Sequence, residues 1–305
     1  MSDGSRWIGN ATAAARLAGD RSDLWIAGAL GALGYVAWLP LVLAVGSVPR
    51  ASDLAFTGAG LFSSELFPLN LLLLATLAAL GILVGCLLAA LAEATLLRGL
   101  GLGTQGPLTR EVEVVFSLIL VAVLPAVAVA AALLSGVAAV APGEFGAPDA
   151  GVPLALRIAL RLLPLLGGLA ILALLGQAFG GVAIRKGTGP GALPVGAALK
   201  AAARDLVAHP ARRMGLALVS LLTDLLAVVL AVALLRVLWA PIGADLADGQ
   251  LISPQALLLL VGFVAVWFTV ILAFGALHVW ISAWWSLELG AWGEQAPMGS
   301  QQAHS

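Results

Sequence analysis

Charged residues are scarce in this 305-residue sequence. They make up 10% of the chain, against about 25% in soluble domains, while 61% of the residues are hydrophobic. Because accessible surface grows more slowly than volume, a water-soluble fold of this length cannot cover so many apolar side chains. The composition therefore excludes an ordinary soluble protein and predicts lipid as the main solvent. The net charge of -1 gives no attraction to nucleic acid, so no such partner is expected.

Cysteine and histidine are scarce too, with one and three copies respectively. The single Cys86 excludes an intrachain disulfide and a cysteine-based metal site. The sequence contains no H-E-x-x-H, paired-aspartate or Ser-His-Asp pattern, so we predict no metal, no cofactor and no catalytic residue. The first 23 residues are polar or mildly amphipathic, and the apolar run after them is long enough to span. No cleavable signal peptide is therefore expected.

Long apolar runs are what the sequence has in abundance. A helix needs about 20 apolar residues, at 1.5 Å each, to cross roughly 30 Å of hydrocarbon. None of the runs alternates in the way that predicts a β-barrel strand. The predicted fold class is an all-α, polytopic transmembrane helical bundle with six spans: Leu24–Val48, Leu69–Leu97, Val114–Val140, Leu154–Ile184, Met214–Trp239 and Ala256–Leu287.

Turn-forming residues separate the runs. The G-x-G-x-x-G match at Gly101–Gly106 follows a span rather than a strand and precedes Pro107, which favours a flexible turn over a nucleotide site. Arg185–Pro194, RKGTGPGALP, is predicted to be the most flexible loop. Shorter breaks are predicted at Val48-Pro49-Arg50, Pro142-Gly143-Glu144 and Pro241-Ile242-Gly243.

Basic residues predict the orientation, because Lys and Arg collect on the cytoplasmic side. With both termini inside, Arg50, Arg157, Arg161 and Arg236 are the only basic residues outside. The inside then holds Arg6, Arg16, Arg21, Arg98, Arg110, Arg185, Lys186, Lys200, Arg204, Arg212 and Arg213. We therefore predict a multi-pass protein of the plasma membrane, of bacterial inner-membrane type, with cytoplasmic N- and C-termini.

Two basic amphipathic segments, Ser5–Asp20 and Val195–His209, are predicted to lie as helices in the headgroup region. Residues 1–23 are then a cytoplasmic amphipathic segment and residues 24–290 the membrane domain. The cytoplasmic loop 185–213 carries the second interfacial helix, and residues 291–305 are predicted to be a disordered tail. The basic inner face is expected to meet anionic lipid headgroups.

Asp224 is the strongest candidate for a site residue. It lies about ten residues into the fifth span, one turn from Ser220, where an ionisable side chain costs a few kcal/mol. It must therefore face protein or water, and we expect a polar partner from another span. Asp224 and Ser220 are either a proton, cation or substrate site or a structural contact that sets helix packing.

Arg157 and Arg161 form a second candidate, four residues apart near the outer end of the fourth span. Pro164 and Gly168 continue the same helical stripe. The two arginines either bind an anionic headgroup or extend to the interface as ordinary snorkelling side chains.

Three further patterns concern packing. Glu93 and His278 lie toward the inner ends of their spans and are predicted to form a cytoplasm-facing polar cluster with Glu288. The G-x-x-x-G matches at Gly81–Gly85 and Gly176–Gly180 favour close helix packing within the chain over a dimer face. An aromatic anchor at the headgroup level is predicted from Trp280, Trp284, Trp285 and Trp292.

A basic helix leads into a span in ALKAAARDLVAHPARRMGLAL, from Ala198 to Leu218, and HVWISAWWSLELG, from His278 to Gly290, closes the last span. In these features the chain resembles bacterial six-span families such as the membrane domain of glycerophosphodiester phosphodiesterases. The resemblance implies a membrane module and transfers no site residues.

Two function classes remain open. Polar residues inside the spans and Gly-rich breaks favour a non-enzymatic transporter, permease-like subunit or membrane assembly component. The alternative is a lipid-modifying membrane enzyme, which needs acid, base or metal ligands that converge at one interface. The expected partners are membrane lipids and either a second copy of the chain or another membrane protein.

Overall fold

The computed structural model describes residues 3–46, 60, 63–103, 106–145, 154–189, 191–247 and 254–290. The regular elements in these ranges are all helices, which confirms the predicted all-α class. Apolar runs become helices in lipid because each backbone N–H and C=O is then satisfied within the segment. In chain order the α-helices are α1 Asp3–Asp20, α2 Trp25–Tyr35, α3 Leu39–Val45, α4 Leu69–Gly99, α5 Leu108–Phe145, α6 Leu154–Arg161, α7 Leu163–Thr188, α8 Val195–Ala208, α9 Pro210–Ala247 and α10 Pro254–Glu288, and a short 3-10 helix, Ser22–Leu24, precedes α2.

Among the described residues, five helices are long and apolar enough to cross a membrane, and the pair α2 and α3 makes a sixth span if its two halves are counted together. That pair is bent by 58°, with the break at residues 36–38, so the predicted first span is not a straight helix. The predicted fourth span is also divided, at Leu162. Pro164 in the first turn of α7 has no N–H to donate, which prevents α6 from continuing into α7.

Two predicted turns are wrong. Helix α5 continues through Pro142-Gly143-Glu144, and α9 continues through Pro241-Ile242-Gly243. A proline inside a helix removes one hydrogen bond and bends the axis, but the residues around it can stay helical. The predicted loop from Arg185 is shorter than expected, because α7 runs to Thr188. The predicted turn at 48–50 and the predicted tail at 291–305 lie outside the described residues.

The largest apolar core lies at one end of the bundle, here called the packed end. It joins the carboxyl-terminal parts of α4, α7 and α10 to the amino-terminal parts of α5 and α9, with α1 and α8 packed against them. Fully buried side chains in this core include Leu96, Leu118, Val182, Leu216 and Val279. Toward the opposite end, every residue of α4 from 72 to 84 is exposed. This leucine-rich surface suits contact with lipid tails.

Glycine holds α2 between α4 and α10. Gly28 lies against Gly275 of α10, and a Cβ at either position would overlap backbone atoms of the other helix. On its other side, a Cβ on Gly34 would stand 2.7 Å from the carbonyl oxygen of Gly85 in α4. Small residues allow this close approach, where dispersion between backbones stabilises helix pairs in lipid. Gly85 therefore packs within the chain, as predicted for its motif, whereas Gly81 faces open space.

Helix α1 forms close to its predicted bounds and docks on α10. The Asn10 amide donates to Glu288 Oε1 at 2.8 Å, and Trp280 Nε1 donates to the Ala11 carbonyl oxygen at 3.0 Å. The ring of Trp7 lies 4.9 Å from that of Trp284. The first and last described helices are thus joined directly.

The predicted aromatic anchor is wrong for two of its members. Trp284 and Trp285 are each only 3% exposed and belong to the core of the packed end. Their large apolar rings fill space between helices instead of marking the headgroup level. Trp292 lies outside the described residues.

Helix α8 also forms as predicted. Its buried Ala198 and Ala202 face the packed end, whereas Val207 is 81% exposed. Its position at a membrane surface stays a prediction.

Candidate functional site

A buried ion pair joins α4 to α7. Arg185 Nη2 lies 2.9 Å from Glu93 Oε1, with the two side chains 6% and 9% exposed. Either charge alone would cost several kcal/mol at this depth, and only good geometry offsets that cost. The prediction that Arg185 begins a loop is wrong. Helix α7 extends a further turn and places the guanidinium inside the bundle.

Helix α10 completes the surroundings of Arg185. Nη2 also donates to the carbonyl oxygen and to the Oγ of Ser282, each at 3.0 Å, and Nε donates to Ser286 Oγ at 3.3 Å. Nη1 donates to the Gly181 carbonyl oxygen at 3.2 Å. The Ser282 hydroxyl in turn donates to Glu93 Oε1 at 2.9 Å. Every guanidinium nitrogen thus has at least one partner within the protein, and Arg185 neutralises Glu93.

The other oxygen of Glu93 faces His278, whose Nε2 lies 3.3 Å from Glu93 Oε2. The structure therefore brings together two of the three residues predicted to form a polar cluster. Glu288 is not part of it, because about 15 Å of helix separates Glu288 from His278 at 1.5 Å per residue. Its carboxylate instead accepts hydrogen bonds from Asn10 and from Arg212 Nε, each at 2.8 Å.

A cavity of about 500 Å³ lies beside this cluster, between α4, α5, α7 and α10. Its volume falls within the range of roughly 300–1,000 Å³ typical of small-molecule sites. Glu93, Arg185, His278 and Ser282 line its polar end. Small residues make the room, since Gly176 and Gly180 of α7 face Ala122 of α5. The remaining walls are mainly apolar, with Ile82, Cys86, Ala89, Ile119, Val123, Leu172, Ala173, Ile184 and Ile281 among them.

Gln177 supplies a polar group farther along the cavity wall. The side chain is partly buried and makes no hydrogen bond to another described residue. A primary amide has both donor and acceptor atoms. The cavity thus combines a neutralised ion pair, an imidazole and an amide within mainly apolar walls, which is the composition of a site for an amphipathic molecule.

Asp224 lies on α9, partly buried, with its carboxylate within electrostatic range of His278. Within the described part of the chain it makes no hydrogen bond, so the polar partner expected from another span is not found there. Ser220 is fully buried. Its hydroxyl donates to the Leu216 carbonyl oxygen at 2.9 Å and accepts from Trp285 Nε1 at 3.3 Å. Since Trp285 lines the cavity, Ser220 lies behind one of its walls, whereas Asp224 is not among the residues that line it.

Arg157 and Arg161 lie on α6, away from the residues that line the cavity. Arg157 is partly buried and Arg161 is exposed. The break at Leu162 separates them from Pro164 and Gly168, so the predicted stripe does not run along one continuous helix. Binding of an anionic headgroup by the two arginines stays a prediction.

Asp205 ties α8 to α9 at the packed end. Arg213 Nε donates to Asp205 Oδ2 at 2.6 Å, and His209 Nδ1 lies 3.5 Å from Oδ1. Burial alone would raise the pKa of Asp205, but hydrogen bonding and charge from Arg213, helped by His209 and Lys186, hold that pKa below its usual range. The contribution of this ionised carboxylate to stability is therefore complete above the unfolded-state pKa and is lost as pH falls through the folded-state pKa.

Sequence reasoning missed Arg185, Ser282 and Gln177. One signal for Arg185 was available, because a carboxylate such as Glu93 inside a span needs a cation at the same depth. In the described ranges no group of three or more His, Cys, Asp or Glu side chains is placed to hold a metal ion. Comparison with protein-family models, with curated proteins and with solved structures gives no match. In the part of the chain that the structure describes, five or six apolar helices of spanning length indicate a membrane-embedded helical protein.

Proposed function

We propose that this chain is a multi-pass membrane protein of the transporter or permease type, whose intramembrane cavity binds a small amphipathic molecule. The cavity of about 500 Å³ carries the proposal. Its apolar walls suit a hydrocarbon or aromatic body, and Gln177 and His278 suit a polar group. The resemblance to six-span membrane modules without assigned chemistry is consistent with this role.

The hydrogen bonds that the polar groups already make within the protein favour binding over catalysis. Each nitrogen of Arg185 is hydrogen-bonded to Glu93, Ser282, Ser286 or Gly181, so the protein holds the guanidinium in place and leaves only one N–H, on Nη1, for a transition state. Electrostatic catalysis needs donors aimed at the reacting atom. A lipid-modifying enzyme therefore remains the second candidate, and a role as an assembly component would use the same membrane bundle.

The native Cys86 provides the first test, because this single cysteine lines the cavity. In lipid vesicles, N-ethylmaleimide is expected to label Cys86, and a monoacylglycerol added beforehand is expected to slow that labelling. Ala173→Phe places a ring in the cavity and should slow labelling at least about tenfold. Ala170→Phe, on the exposed side of the same helix, should label at the wild-type rate. Mass spectrometry of the modified protein gives the rates.

Equal labelling rates in Ala173→Phe and Ala170→Phe, with no protection by monoacylglycerol, would show that nothing enters the cavity. The binding proposal would then be wrong.

We further propose that the packed end faces the cytoplasm, as the distribution of basic residues predicts. A reporter enzyme that is active only outside the cytoplasm is expected to be active when inserted after Asp149. The same reporter should be inactive after Gly191, which is exposed beyond the end of α7. Activity with the opposite pattern would reverse the orientation and place the termini outside.

A further inference from the structure

The cavity is a narrow passage that runs along the helices. Its lining extends from Ile82 to Glu93 on α4 and from Leu172 to Arg185 on α7. At 1.5 Å per residue, these stretches are about 16 and 20 Å long. Dividing the volume of about 500 Å³ by this length leaves a mean cross-section of roughly 25–30 Å². Because non-bonded carbon atoms pack about 4 Å apart, one hydrocarbon chain fits this cross-section, and two chains side by side do not.

The two ends of the passage differ. At the packed end the lining stops at the apolar core, whose fully buried side chains there include Leu96, Leu97 and Leu118. At the other end Ile82 lines the passage and is 41% exposed. Ile82 lies near the middle of α4, within the exposed apolar surface of residues 72–84. The described residues thus place the mouth of the passage at mid-span, where the surrounding surface suits hydrocarbon.

Polar groups lie toward the closed end. Glu93 and Arg185 are paired with each other at 2.9 Å, so a charged ligand group beside them would find no counter-charge left in that pair. Gln177 lines the passage two turns from Arg185 along α7 and makes no hydrogen bond to another described residue. Its amide can donate and accept, which matches a hydroxyl or an ester. From Gln177 to the mouth the lining is apolar side chains and glycine.

We propose that the cavity takes up one uncharged, single-chain lipid from the bilayer, head group first. The inference rests on the proposed function and names its ligand class. The head group reaches Gln177 because the polar groups lie at the closed end, and the acyl chain trails past Cys86 and Ile82 into the surrounding hydrocarbon. A monoacylglycerol has these properties. A second acyl chain exceeds the cross-section, and a phosphate adds a charge that the buried ion pair does not balance.

Three lipids built from glycerol and oleoyl chains test the ligand class: monooleoylglycerol, dioleoylglycerol and oleoyl lysophosphatidic acid. The full-length protein is placed in phosphatidylcholine vesicles that contain a rising mole fraction of one of them. Protection of Cys86 from N-ethylmaleimide then gives the mole fraction at half-protection. We expect monooleoylglycerol to reach half-protection at a mole fraction at least about tenfold lower than either other lipid, because only it satisfies both the width and the charge of the passage.

Two pairs of variants locate the head group and the mouth. Gln177→Leu should raise the half-protecting fraction of monooleoylglycerol about tenfold, through loss of hydrogen bonds to the head group, without changing the labelling rate in lipid-free controls. Gln255→Leu, exposed at the start of α10, should behave as wild type. Ile82→Trp narrows the mouth and should slow N-ethylmaleimide labelling of Cys86. Leu80→Trp, exposed on α4 outside the lining, should not.

Entry from the bilayer is tested with a permanently charged methanethiosulfonate, which does not partition into hydrocarbon. This reagent should leave Cys86 unmodified while N-ethylmaleimide labels it. Rapid modification by the charged reagent, or unchanged labelling in Ile82→Trp, would overturn entry from the bilayer.

Equal half-protection by dioleoylglycerol would overturn the single-chain assignment, and equal half-protection by lysophosphatidic acid would overturn the preference for an uncharged head group. Wild-type protection in Gln177→Leu would show that the head group does not reach this amide. Cavity binding would stand in each of these cases. If no lipid protected Cys86 while Ala173→Phe still slowed its labelling, only this inference would fail. Loss of both effects would remove the proposed function.

Discussion

Replacing Gly275 by alanine is expected to destabilise the bundle by about 3 kcal/mol, the upper end of the usual cost of overpacking, since no side chain can move aside to accept the new methyl group. The added Cβ would stand 2.8 Å from the backbone nitrogen of Ala29 and would also overlap the Trp25 carbonyl oxygen. Helices α2 and α10 would have to separate, which would also loosen the contact of α2 with α4. Gly28→Ala should act in the same way from the other helix.

Gly262→Ala is the control on the same helix. Its Cβ would meet no atom within 4 Å, so only helix propensity changes, and stability should stay the same or rise by up to about 1 kcal/mol. Heating the detergent-solubilised protein and following its monodisperse fraction by size-exclusion chromatography measures the difference. A gap of roughly 6–12 °C between the two variants is expected. Similar melting temperatures would show that α2 and α10 do not touch at Gly275.

Arg185→Met should cost about 3–5 kcal/mol, because it leaves the Glu93 carboxylate buried without its cation. The side chain of Glu93 is 9% exposed, so water cannot take over that role. Glu93→Gln should cost a similar amount by leaving Arg185 uncompensated. The double variant Glu93→Leu with Arg185→Met removes both charges and should recover much of the loss, because two apolar side chains of similar volume need no partner.

Arg204→Met is the control, since Arg204 is exposed on α8 and its removal should change stability by no more than about 0.5 kcal/mol. The same thermal assay measures all variants. The coupling energy between the two positions is the difference between the destabilisation of the double variant and the sum of the destabilisations of the two single variants. Strict additivity would contradict the buried pair, and wild-type stability in Arg185→Met would place Arg185 in solvent.

The helices were predictable because apolar length is a local property, legible in the sequence without knowledge of neighbours. The ends of the helices were less predictable. Pro142 and Pro241 were interpreted as turns, yet both lie within helices, because a proline's cost depends on whether the surrounding residues keep their hydrogen bonds. The opposite error occurs at Leu162, where an apolar run that was predicted as one span is divided next to Pro164.

The candidate site was predictable only in part. Glu93 and His278 lie at similar depths in their two spans, and their positions in the sequence therefore predict that they come close together. Arg185 was missed because it stands beside Lys186 and a Gly-rich stretch, which together resemble a loop. The size of the cavity depends on the distances between the packed helices. Those distances follow from contacts between residues far apart in the sequence, such as Gly34 and Gly85.

The contact between α1 and α10 has a consequence for biosynthesis. Asn10 and Glu288 are 278 positions apart, so α1 finds its partner only when α10 has been made. At ribosomal rates of about 5–20 residues per second, tens of seconds separate the two events. During that time Trp7 lacks its partner ring, and the Gly28 face of α2 is open. A nascent chain that stops before α10 cannot close this contact, so α1 stays undocked in any chain truncated there.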